Sequence, residues 1–168
     1  MKKTKKIALT GVLAAAAFAF SYVEYLIPFD IAGVPGVKPG FANLVIMAAL
    51  YMLGLPYAAA VSAVRIVLSF LLFGNVTSLI YSLAGGVFSL AVMFVLKKLN
   101  AFDVTGVSVC GAAAHNAAQI CASALVLSSG SVFYYLPPLL IFAVIFGVIN
   151  GVILDLILKR VKMNAQGR

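Results

Sequence analysis

VSAVRIVLSFLLFG, residues 61–74, sets a single arginine, Arg65, in the middle of an otherwise apolar run. A cation placed in hydrocarbon is expensive. Either this run does not lie in a membrane, or Arg65 faces something polar inside a bundle. Composition decides. The chain has 168 residues, of which 64% are hydrophobic and 10% charged, whereas soluble domains carry about 25% charged residues. Mean hydropathy is +1.16. Long apolar runs with that balance predict an all-α integral membrane protein, a single transmembrane domain over 1–168 with no separate soluble part.

Six apolar stretches are expected as spans, at approximately 7–27, 40–55, 56–73, 76–96, 104–127 and 134–158. The second is near the lower limit of roughly 17 residues for a full crossing. PFDIAGVPGVKPG, residues 28–40, is too rich in Pro and Gly to be helical throughout and forms an outer loop. Gly54 and Pro56 mark a tight break between the second and third spans, and Pro137 and Pro138 suit the first turn of the sixth. The start, MKKTKKIALTGVLAAAAFAF, shares features with a secretory signal peptide. The apolar run continues past the small residues, so it is read as a true first helix.

Lysine and arginine set the orientation. Lys2, Lys3, Lys5 and Lys6 precede the first span, Lys97 and Lys98 follow the fourth, and Lys159, Arg160, Lys162 and Arg168 follow the sixth. With both termini cytoplasmic, all of these fall on the inner side, as the positive-inside rule requires. Lys38 is then outside and Arg65 in the membrane. The same partition accounts for the net charge of +8 through anionic lipid headgroups, without nucleic acid. Cys110 and Cys121 lie roughly 16 Å apart along one helix, too far to pair, and are read as packing residues. With one histidine and no nearby ligands, no metal site is expected.

Arg65 lies halfway along the third span. The fifth span carries AAAHNAAQ at its midpoint, so His115, Asn116 and Gln119 fall at similar depth. Ser62, Arg65 and Ser69 share a helical face, as do His115 and Gln119, while Ser78, Ser82 and Ser89 run with Gly85 and Gly86 on the fourth span. Polar stripes on membrane helices turn toward one another or toward a cavity. Arg65 is therefore expected to face a cavity beside His115, Asn116 and Gln119, where a guanidinium suits a carboxylate or phosphate. The structural alternative is an arginine held by backbone carbonyls or an acid. On depth, Asp155 is near the inner face and Glu24 near the outer, so neither is expected level with it. A lone histidine can equally serve as a bond between helices.

In GVKPGFAN, Lys38 precedes the second span and Asn43 sits a turn inside it. The loop is read either as a lid over a cavity mouth or as a plain turn anchoring Lys38 at the headgroups. Tyr22, Phe133 and Tyr134 are candidate contacts for an apolar part of a ligand. Gly11, Ala15 and Ala19 form a small-residue face on the first span, and Ala143, Gly147 and Gly151 another on the sixth. Such faces let helices approach closely. The sixth is expected to pack internally; the first leaves internal packing and a partner protein open.

GVKPGFANLVIMAALYMLG, VRIVLSFLLFGNVTSLIYSLAGGVFSLAVM and GAAAHNAAQICASAL together resemble the Gx transporter family, also labelled heptaprenyl diphosphate synthase component I, over about residues 8–158. The elements that carry the resemblance are Lys38, Gly40, Ala42 and Asn43; Leu72 to Gly74; Ser82 to Gly86; and His115, Asn116 and Gln119. That family is similar to the substrate-binding S components of energy-coupling factor transporters. The likeness implies an S-component-like six-helix bundle in a bacterial cytoplasmic membrane, docking on a coupling subunit with two ATPases through a small-residue face on helix one. Ala15 and Ala19 match that spacing.

The two family labels imply different work. Prenyl chain elongation needs clustered aspartates to hold Mg²⁺ on a diphosphate. The chain has four acidic residues, Glu24, Asp30, Asp103 and Asp155, no two close in sequence, and no phosphate-binding loop of the Gly-rich Lys-Ser/Thr type. No catalysis and no cofactor are expected. The leading expectation is a substrate-capture subunit for a small anionic or vitamin-like ligand, with Arg65, His115, Asn116, Gln119, Lys38 and Asn43 at its site. The alternatives are a membrane accessory to the catalytic subunit of a prenyl diphosphate synthase, and a scaffold in a membrane redox complex.

Overall fold

A computed structural model describes residues 3–27, 39–100 and 102–166. Among them every regular element is helical: α1 (Lys3–Leu26), α2 (Phe41–Met52), α3 (Leu55–Phe73), α4 (Val76–Leu99), α5 (Val104–Leu127) and α6 (Leu136–Gln166), with a 3₁₀ turn at Gly130–Tyr135 before α6. The helices begin and end where local chemistry dictates. Asn75 and Ser78 form a reciprocal capping box at the start of α4, and Asp103 accepts from the Gly106 N–H at the start of α5. Gly54, at φ 100°, breaks the chain between α2 and α3. α4 and α6 run beyond their expected apolar limits because lysines are good helix formers and the hydrocarbon boundary does not end a helix. Lys159 pairs with Asp155 one turn back at 2.6 Å.

Five helices are long and apolar enough to cross a membrane. Their outward faces carry exposed Val12, Leu71, Leu72, Val87, Phe88 and Ile141, a surface suited to lipid. The chain is a multi-pass helical membrane protein.

The second apolar stretch is different. Its helix, α2, has 12 residues, or about 18 Å of length, against about 30 Å of hydrocarbon. By itself it does not cross. It lies at the centre instead, touching each of the other five helices. Val45, Ile46, Met47, Ala49 and Leu50 are at most 5% exposed. α1 packs on α2 and α3, α5 packs on α4 and α6, and α1 and α6 do not touch among the described residues.

A helix that stops inside a bundle leaves backbone N–H and C=O groups bare at both ends. Neighbouring side chains meet them here. Gly40, the cap of α2, is left-handed and offers no side-chain acceptor. Glu24 of α1 supplies one: the Phe41 N–H donates to Oε1 at 2.6 Å. Asn150 of α6 donates from Nδ2 to Pro39 O at 2.9 Å. At the other end Lys97 of α4 donates from Nζ to Leu50 O at 2.8 Å and lies over the Tyr51 ring at 4.8 Å. An anion at the N-terminus and a cation at the C-terminus also match the helix dipole. Lys97 thus has a structural use beyond its place in the charge partition.

The small face of α6 packs internally, as expected. Cβ atoms added at Gly147 and Gly151 would fall 2.7 Å from Val109 Cα and 2.6 Å from Thr105 Cα on α5. We predict that Gly147→Ala and Gly151→Ala each destabilise by about 1–3 kcal/mol, since backbone must move. Thermal unfolding in detergent measures this, and unchanged melting would mean that α5 and α6 are not so closely apposed.

Candidate functional site

A cavity of about 470 Å³ opens among the helices, and all six contribute to its wall. Its size is that of small-molecule sites. Several of its polar side chains come from the inward polar stripes: Ser69 from α3, Ser78, Ser82 and Ser89 from α4, His115, Asn116 and Gln119 from α5. A Cβ at Gly85 would fall 2.8 Å from the His115 ring and 2.9 Å from Gln119 Cγ. Glycine there lets both side chains lie directly against α4.

Arg65 lines this cavity. Its Nη1 donates to Ser21 Oγ of α1 at 3.2 Å, while Nε and Nη2 are covered and have no hydrogen-bond partner among the described residues. A hydroxyl, not a backbone carbonyl, is therefore its hydrogen-bond acceptor. Glu24 corrects the depth reading. Expected not to be level with Arg65, it lines the same cavity and its charge acts on the guanidinium. The same carboxylate accepts from the Phe41 N–H at the start of α2.

The structure brings Arg65, Asn43, His115, Asn116 and Gln119 to one cavity. Lys38 lies outside the described residues, as do Asp30 and most of the 28–40 loop. Asn116 has a structural contact too, donating from Nδ2 to Leu139 O of α6 at 2.9 Å. Tyr22, Phe133 and Tyr134 do not line the cavity; Tyr25, Phe70, Phe73, Tyr81 and Phe146 do. Tyr22 instead packs against Phe73 with the rings tilted by 46° and their centroids 5.8 Å apart. A side chain missed in the sequence is Asn150, buried on α6 and part of the cavity wall.

The small face of α1 points away from the cavity. Gly11, Ala15 and Ala19 are all exposed, and a Cβ at Gly11 would meet no atom within 4 Å. This face takes no part in internal packing. Basic residues gather at one end of the bundle: Lys6 of α1 lies over Tyr57 at the start of α3, and Lys97 sits at the end of α4.

The described acids have separate roles. Glu24 meets the α2 N-terminus, Asp103 caps α5 and Asp155 pairs with Lys159. No group of three or more His, Cys, Asp or Glu side chains gathers among the described residues.

Comparison with curated proteins and with solved structures finds no match. Residues 13–157 match the family model described as heptaprenyl diphosphate synthase component I, and the chain belongs to that family.

Proposed function

We propose that the chain is a non-catalytic membrane component that holds a small ligand by an anionic group against Arg65, working beside the catalytic subunit of a heptaprenyl diphosphate synthase. The observation that carries ligand holding is the buried guanidinium on the cavity wall with two N–H-bearing nitrogens unpartnered. A buried donor left without an acceptor costs about 1–3 kcal/mol, and a carboxylate or phosphate oxygen offsets that cost. His115, Gln119 and Asn43 supply further polar contacts on this reading, and Lys38 remains a further candidate contact. The accessory role draws support from the family description. It also fits the separate employment of Glu24, Asp103 and Asp155, which form no carboxylate cluster among the described residues for a diphosphate-bound magnesium.

A second reading is favoured by the outward Gly11, Ala15 and Ala19 face. Small residues on an exposed membrane helix suit close docking of another helix. On that reading the chain is an S-component-like capture subunit, and the face meets the coupling subunit of an uptake system with ATPases. Both readings place the chain in a bacterial cytoplasmic membrane, with the basic end and both termini inside.

Affinity purification after mild crosslinking in native membranes separates the two. Recovery of a prenyl diphosphate synthase subunit, whose activity rises when the chain is co-expressed, is the expected result. Recovery of an ATPase pair without the synthase would sink the accessory role and favour uptake. Replacing Ala15 by Leu should reduce recovery of whichever partner uses the α1 face, by about tenfold or more.

A further inference from the structure

We infer that the ligand held in this cavity carries a hydrogen-bond donor, a hydroxyl or an N–H, in addition to its anionic group. A prenyl diphosphate, which offers only acceptors and hydrocarbon, does not meet that requirement. The inference rests on the ligand-holding reading above and narrows its ligand class.

Asn150 carries it. This residue is 5% exposed and forms part of the cavity wall. Its Nδ2 donates to Pro39 O at 2.9 Å and to Gly40 O at 3.4 Å. Turning the amide over would set Oδ1 against two carbonyl oxygens, so the surroundings fix its orientation. Oδ1 is then left as a covered acceptor with no donor among the described residues. Buried polar atoms are nearly always paired, and an exception calls for a ligand, a water or a functional role.

Elsewhere on the wall the polarity is reversed. Arg65 Nε and Nη2 are donors without an acceptor, and the Ser69 hydroxyl, one turn along α3, is also unpartnered. One cavity therefore presents unspent donors on α3 and an unspent acceptor on α6. Its charged side chains among the described residues are one guanidinium and one carboxylate, Arg65 and Glu24. A diphosphate brings several negative charges to this near-balanced pair and no proton for Asn150. A hydroxy acid, or an acid bearing an N–H, places its carboxylate or phosphate at Arg65 and its donor at Asn150 Oδ1, so both groups are met at once.

The test uses the full chain in detergent and compares anions matched except for one donor. The pairs are 3-hydroxypropyl phosphate with propyl phosphate, lactate with propionate, and 4-hydroxyphenylacetate with phenylacetate; geranyl diphosphate is the donor-free diphosphate. Thermal unfolding is followed over a concentration series. In at least one pair the donor-bearing member is expected to stabilise at concentrations about tenfold or more below its partner. Asn150→Leu should erase that preference, and Arg65→Met should erase stabilisation by either member. The comparison within a pair is made on the unsubstituted protein, so it stands even where Asn150→Leu fails to fold. Donor-free members or geranyl diphosphate acting equally well or better would overturn the donor requirement and leave ligand holding intact. No stabilisation by any of these anions would overturn both.

Discussion

Glu24→Ala is expected to lower stability by about 2–4 kcal/mol. The substitution removes a charge-assisted hydrogen bond to a backbone N–H, a class of bond that contributes about 1.5–3 kcal/mol. It also removes an anion from a helix N-terminus, for up to about 2 kcal/mol more in a partly buried setting. The Phe41 N–H at 2.6 Å from Oε1 has no side-chain cap of its own to fall back on, because Gly40 provides none. Glu24→Gln keeps an oxygen acceptor and loses the charge, so it should recover roughly half of the difference. Unfolding in mixed micelles, followed by helical circular dichroism, gives the numbers. Stability within about 0.5 kcal/mol of the parent for Glu24→Ala would show that the N-terminus of α2 does not depend on α1.

Arg65→Met should separate binding from folding. Removing one partner of a buried charge-assisted contact costs about 2–5 kcal/mol of binding, so occupancy of the cavity by an anion should fall by about a hundredfold. The fold should hold within about 1 kcal/mol. Two covered donors without acceptors disappear with the guanidinium, which offsets the lost bond to Ser21 and the lost attraction to Glu24. Native mass spectrometry of gently purified protein reads occupancy directly. A small molecule is expected with the parent and absent from Arg65→Met. Equal occupancy in both would remove the central role given to Arg65. A large loss of stability would point instead to an arginine whose work is structural.

Much of the geometry around Arg65 was legible in the sequence because depth in a membrane helix is a matter of counting. Arg65 and His115 lie near the midpoints of helices that run in the same sense, and the structure brings them to one cavity with Gln119 and Asn43. The serine stripe of α4 was legible for the same reason. Counting failed at α2. An apolar stretch of the right composition reads as a short span, whereas the helix closes at Met52 and sits buried on all sides. Asn150 was missed because it is a single amide in an apolar run, FGVINGVILD. Its flanking glycines drew the reading toward helix packing, which they do serve, and away from the amide between them. A polar side chain at that depth was itself the available signal. Contacts made through backbone carbonyls, such as Asn150 with Pro39, leave no trace in residue identities.

The central position of α2 has a consequence for how the protein is made. A helix of about 18 Å cannot enter the bilayer as an independent unit, since its exposed ends would have no water and no partner. Its acceptor comes from α1, synthesised before it, but its donors come from α4 and α6, synthesised after it. The burial of α2 is therefore completed only by contacts from helices translated after it.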